Sequence, residues 1–178
     1  MPTPTPEPTE KPTPTPVPLG TRQFGWDHPL SITVPDNWTR WSGGGPSTLV
    51  IEVPVDRWIQ FTVEPPPEGG SWLDRITSAN QLTVGEPVPT EIGGVPGVAV
   101  DFELRDDAPI CQTEGEPCFQ LVPSGFAFWV VLEDRPNRAW IIDLDGTEIL
   151  ILTDAPSAAF DAWVATTEEV LSTLTWSD

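Results

Sequence analysis

Acids dominate the side chains that could do chemistry. The chain of 178 residues has 27 Asp and Glu against 8 Lys and Arg, with one His, two Cys and nine Trp. Nucleophilic catalysis lacks its parts. The lone His28 sits beside Pro29, ahead of the first strand-like segment, where it reads as a surface or turn residue rather than a triad base. Ser124 stands in Pro-Ser-Gly, without the Gly-x-Ser-x-Gly elbow. Lys11, the only lysine, lies in the N-terminal tail, so the folded part can supply neither a Schiff base nor a phosphate-loop lysine. Paired carboxylates are abundant: Asp106/Asp107, Glu114/Glu116, Glu133/Asp134 and Glu168/Glu169. A glycoside hydrolase needs two such groups across a cleft. With so many acids, pairs arise by chance, and a carboxylate hydrolase is the least supported function.

Asp143, Asp145 and Glu148 put three carboxylates around the Asp145-Gly146 turn, like the first half of a calcium loop. The next positions are the apolar Ile149, Leu150 and Ile151, so a water-facing hairpin accounts for the pattern better. Asp106, Asp107, Glu114 and Glu116 form a second weak cation candidate. No cofactor is expected, and calcium is the only one that either pattern admits. Cys111 and Cys118 flank a short turn-rich segment containing Gly115 and Pro117, which suits a structural disulfide. A zinc site would need two further ligands that one His cannot supply.

The tryptophans are the other functional material. Exposed indoles near carboxylates stack on sugar rings or grip cations. Trp72 and Trp163 fall on apolar helix faces, and Trp58, Trp129 and Trp140 fall in strand segments, so most are expected in the core. Trp26 and Trp41, near flexible loops, are the candidate ligand-binding pair.

The elements that must position these groups follow from periodicity. Strands are expected at 30–34, 48–53, 57–63, 95–104, 126–134, 137–145 and 147–154, with weaker, proline-broken strands around 81–92. Pro35-Asp36-Asn37-Trp38 reads as a turn that returns Trp38 to the core. Asp145-Gly146 is a type I′ hairpin signal, and Asp134-Arg135-Pro136-Asn137 reads as a second hairpin. Residues 71–80 form a short helix capped by Ser71, with Asp74 three residues on. A closing helix at about 156–173 takes Asp154 as its N-cap. It carries the stripe Phe160, Trp163, Val164, Thr167, Leu171 and Leu174. The expected fold class is α+β, a mostly antiparallel sheet of six to eight strands with helices packed on it.

Residues 1–20 are dominated by a Thr-Pro repeat, which blocks helix and ladder pairing. They read as a disordered or polyproline-II stalk leading to a single globular domain at 21–178. No signal-peptide pattern follows Met1, so an anchor is expected upstream of it. The disulfide and the stalk together point to an extracellular or surface-anchored bacterial protein. A net charge of −19 and a pI near 4.1 exclude nucleic acid as a partner. No apolar run is long enough to insert in a membrane.

The strand ending in Pro35-Asp36-Asn37-Trp38, the mid-chain Gly93-Gly94-Val95, the late hairpin and the closing helix ending near Trp176 together resemble one family. It is the PsbP-like α/β/α sandwich found on bacterial lipoproteins and stalked surface proteins. The resemblance covers about residues 24–176. It implies a non-catalytic binding or assembly role and supplies no catalytic residues. The photosynthetic members dock through basic residues, which this acidic chain lacks. The expected function is a non-enzymatic, surface-tethered domain that binds a protein, peptide or cell-envelope ligand. The alternative is a glycan or small-ligand module using exposed Trp.

Overall fold

The computed structural model describes residues 30–35, 38–40, 47–53, 57–111, 115–122 and 129–176. The stalk, His28, Trp26 and Trp41 lie outside them. So do Glu114, Ser124 and the 126–128 part of an expected strand.

The central layer is an antiparallel sheet of eight strands. It contains β2 (Thr39–Arg40), β3 (Thr48–Val53), β4 (Arg57–Thr62), β5 (Leu82–Val84), β6 (Val88–Ile92), β7 (Val95–Leu104), β10 (Asn137–Leu144) and β11 (Thr147–Asp154). The order is β2-β3-β4-β11-β10-β7-β5, and β6 pairs with the first half of β7. At the β10–β11 turn, Asp145 and Gly146 have φ of 53° and 84°, the left-handed pair that a type I′ turn requires. Register then runs unbroken from Leu144 opposite Thr147 to Asn137 opposite Asp154.

Strands buried on both faces explain the near-continuous apolar runs. Trp140, Ile142, Ile149 and Ile151 belong to one core, and Ala139, Ile141, Leu150 and Leu152 to the other. The first core is closed by α2 (Phe160–Leu171) through Phe160, Trp163, Val164, Val170 and Leu171. The second is closed by α1 (Trp72–Ser78) through Trp72 and Ile76, and by the separate two-stranded antiparallel sheet of β8 (Cys118–Val122) and β9 (Trp129–Leu132). The molecule is therefore an α+β three-layer sandwich, as expected. The ends of the described chain meet where β1 (Leu30–Ser31) pairs with β12 (Thr175–Trp176). Gly93, at φ 60°, leaves room there: a Cβ would sit 2.6 Å from the Trp176 Nε1.

Three expectations need correction. Asp154 is not a helix cap: it ends β11 as an ion-pair partner of Arg135, and a 3₁₀ turn (Ser157–Ala159) leads into α2. The Asp134–Asn137 connection is not a hairpin, because β9 pairs with β8 while β10 pairs with β7 and β11. β10 already has partners on both sides, and Trp129 and Val131 are buried in the second core instead. Finally, only Leu30–Ser31 of the 30–34 segment forms a strand, because its partner β12 is just two residues long. The Trp38 expectation holds, since its N–H closes a turn on the Pro35 carbonyl at 3.0 Å and its ring is buried.

Candidate functional site: an acidic groove

The described surface carries a groove of about 590 Å³ at one end of the sheet. Its first lip is the end of β7 and the turn after it, Glu103 to Asp107. That turn is held by Arg105 N–H on the Gln81 carbonyl at 2.9 Å and Ala108 N–H on the Arg105 carbonyl at 3.0 Å. The second lip is Glu133-Asp134-Arg135, between β9 and β10. Asp134 takes a left-handed φ of 56°, which a short polar side chain tolerates. Ser157 fastens this lip from the 3₁₀ turn, donating its N–H at 3.0 Å and its hydroxyl at 3.1 Å to the Asp134 carbonyl.

Two arginines enter the groove, and each is already engaged by a carboxylate. Arg105 Nε donates to Asp107 Oδ1 at 3.0 Å. This hydrogen bond, and then the charge of Arg105, hold the Asp107 carboxyl below the usual Asp value. A general acid needs the opposite shift. Arg135 Nε donates to Asp154 Oδ2. Among the described residues no salt bridge reaches Glu103, Asp106, Glu133 or Asp134. The groove therefore carries a surplus of negative charge in a concave site, where fields concentrate.

A shallower extension of about 390 Å³ shares Thr83, Glu103 and Ser157 and runs on past Val84, Phe102, Pro136 and Phe160. An acidic pocket thus continues into an apolar one. Asp101, beside the extension, accepts two bonds from Arg138, Nε at 2.6 Å and Nη2 at 2.7 Å, while Nη1 reaches Glu168 at 2.7 Å. The bonds to Asp101 come first in raising the Arg138 pKa, against the effect of partial burial.

The acid pairs Asp106/Asp107 and Glu133/Asp134 are thus brought together across one groove, which sequence spacing could not show. Glu103, Arg105, Arg135 and Ser157 had no sequence signal of their own. Only the clustering of acids just after two strands hinted at a shared end of the sheet.

The expected cation residues are placed differently. Asp143 and Glu148 face each other across the β10–β11 ladder, with Asp145 in the turn beyond. Asp143 Oδ1 accepts the Gly146 N–H at 2.7 Å. Glu148 Oε1 accepts the Trp72 N–H at 2.6 Å, which satisfies one open donor at the start of α1. Among the described residues no group of three or more His, Cys, Asp and Glu is placed to hold a metal ion.

Cys111 and Cys118 are joined in a disulfide. Trp38, Trp72, Trp129, Trp140 and Trp163 are buried. Trp58, expected in the core from its strand, is instead 36% exposed. Trp176 is half-buried, its Nε1 donating to the Ile92 carbonyl at 3.2 Å.

No protein-family model matches the chain, and no curated protein matches it. Its structure is similar to that of cyanobacterial PsbP (CyanoP) from Synechocystis sp. PCC 6803, with 12% identity, a TM-score of 0.47, and coverage of 87% of this chain and 88% of that one. It is also similar to LpqN of Mycobacterium tuberculosis, described as involved in cell envelope biogenesis, with 9% identity, a TM-score of 0.44 and 86% coverage of each chain. The first of these carries the family name that the sequence resemblance suggested. The likeness concerns the path of the chain alone.

Proposed function

We propose that the chain is a non-enzymatic, exported binding domain, displayed on its Pro-Thr segment. Its groove takes a basic stretch of a protein or peptide partner. The observation that carries this reading is the pairing of both groove arginines with carboxylates, while no salt bridge among the described residues reaches Glu103, Asp106, Glu133 or Asp134. The apolar extension along Val84, Phe102 and Phe160 suits a partner in which Lys or Arg alternates with apolar residues. The PsbP-like resemblance, the disulfide and the Thr-Pro repeat support a role outside the cytoplasm.

Calorimetric titration with a lysine-rich peptide tests the reading. The double variant Asp106→Asn, Glu133→Gln should weaken binding about 2- to 30-fold, from roughly 0.2–1 kcal/mol per exposed charge pair. Raising the salt should weaken the wild type more than the variant. Equal affinity for both proteins would refute it.

A further inference from the structure

A second groove, of about 510 Å³, lies between α1 and β8 and shares no lining residue with the acidic one. Its size is within the range of small-ligand sites. Its lining includes Glu68, Asp74, Arg75, Asn80, Gln81 and Phe119. From these side chains we infer that this groove binds an uncharged saccharide.

Arg75 is fixed before any ligand arrives. Its Nε donates to the Leu121 carbonyl at 2.8 Å and its Nη2 to the Gln120 carbonyl at 2.9 Å. Its guanidinium carbon stands 5.4 Å from the Phe119 ring centroid. Burial lowers its pKa, and the charge of Glu68 partly opposes this. A guanidinium has five N–H donors, so some remain for a ligand. Phe119 is held from the other side, since it directly follows Cys118, which is buried and disulfide-bonded to Cys111. The ring and the cation are thus both preorganised, which lowers the ordering cost of binding.

Around them stand two carboxylates, Glu68 and Asp74, and two amides, Asn80 and Gln81. None of these four side chains has a hydrogen-bond partner among the described residues. A simple ion meets a like charge in this groove whichever its sign. A cation would meet Arg75 at the ring, and an anion would meet Glu68 and Asp74. A ligand rich in hydroxyls satisfies both, because each hydroxyl donates to a carboxylate and accepts from a guanidinium or amide. Its apolar C–H edge would meet the part of the Phe119 ring left exposed beside Arg75. The disulfide thereby gains a role in ligand positioning, and an aromatic other than Trp carries the apolar contact.

The test is a two-dimensional amide NMR titration of the whole chain with maltotriose, cellotriose and chitotriose at millimolar concentration. At least one should give saturable shifts at Gly69, Ser78 and Phe119. Phe119→Leu keeps an apolar side chain against the core and removes the ring. It should raise Kd about two- to tenfold, the range for a lost aromatic contact. The surface variant Asn80→Ala should also weaken binding without changing the melting temperature. Asp106→Asn, Glu133→Gln should leave it unchanged, which separates this site from the acidic groove. No saturable shift with any trisaccharide, or affinity indifferent to Phe119→Leu and Asn80→Ala, would overturn the inference.

Discussion

Replacing Cys111 with serine and Cys118 with alanine removes the disulfide formed by the chain's two cysteines. Alanine suits position 118 because that side chain is buried at 2% exposure, where a hydroxyl would need a partner. The bridge spans a sequence separation of 7. The chain-entropy relation assigns a loop of that size roughly 2.5 kcal/mol, through restriction of the unfolded state. Backbone bonds hold the same loop in the folded state: Cys111 N–H on the Glu116 carbonyl at 2.9 Å, and Cys118 N–H on the Pro109 carbonyl at 3.2 Å. The folded conformation should therefore survive the double substitution. For a domain of this length the loss corresponds to a fall in melting temperature of about 5–10 °C. Calorimetry of both proteins, with wild type also measured under reductant, gives the comparison. A fall of under about 1 °C, less than a fifth of the lower bound, would refute the entropic reasoning. Loss of a cooperative transition would show instead that the bridge organises the β8–β9 layer.

Further expectations follow from single contacts. Glu148→Ala removes the acceptor of the Trp72 N–H and should cost about 0.5–2 kcal/mol, like loss of a helix cap, measured by chemical denaturation. Thr153→Val strands the Trp163 indole N–H, which donates at 2.7 Å to the Thr153 hydroxyl in a buried site. It should destabilise by about 1–3 kcal/mol. Gly97→Ala would place a Cβ 2.3 Å from the Ile141 carbonyl oxygen, and should cost about 1–3 kcal/mol or more through overpacking, seen as a lower melting temperature. Asp107 titrates below the usual Asp value, so its pair with Arg105 contributes above the unfolded pKa and is lost as pH falls through the folded one. NMR titration should show its midpoint rising toward the usual value in Arg105→Gln.

Local signals made much of the architecture legible. Asp145-Gly146 announced the β10–β11 hairpin because few residue pairs accept two left-handed conformations in succession. The stripe from Phe160 to Leu171 announced α2, and Ser71 announced the start of α1, where its side chain accepts the Asp74 N–H at 3.1 Å. Asp154 misled because Asp is a common cap, while its real partner, Arg135, is a long-range one. The pairing of β9 was hidden for a related reason: which partner a strand takes depends on where Trp129 and Val131 find apolar cover, not on the nearest turn. The candidate site was legible only as scattered acids. Asp106/Asp107 and Glu133/Asp134 meet because β7 and the β9–β10 connection end on the same side of the sheet, a property of topology rather than of any local pattern.

The most direct test of the binding account is to map where a lysine-rich peptide sits on the whole chain by amide chemical shifts. The account predicts saturable changes concentrated at Glu103–Asp107, Glu133–Arg135 and Ser157, weakening as salt rises. Shifts spread evenly over all acidic residues, or centred on Asp143–Glu148, would contradict it.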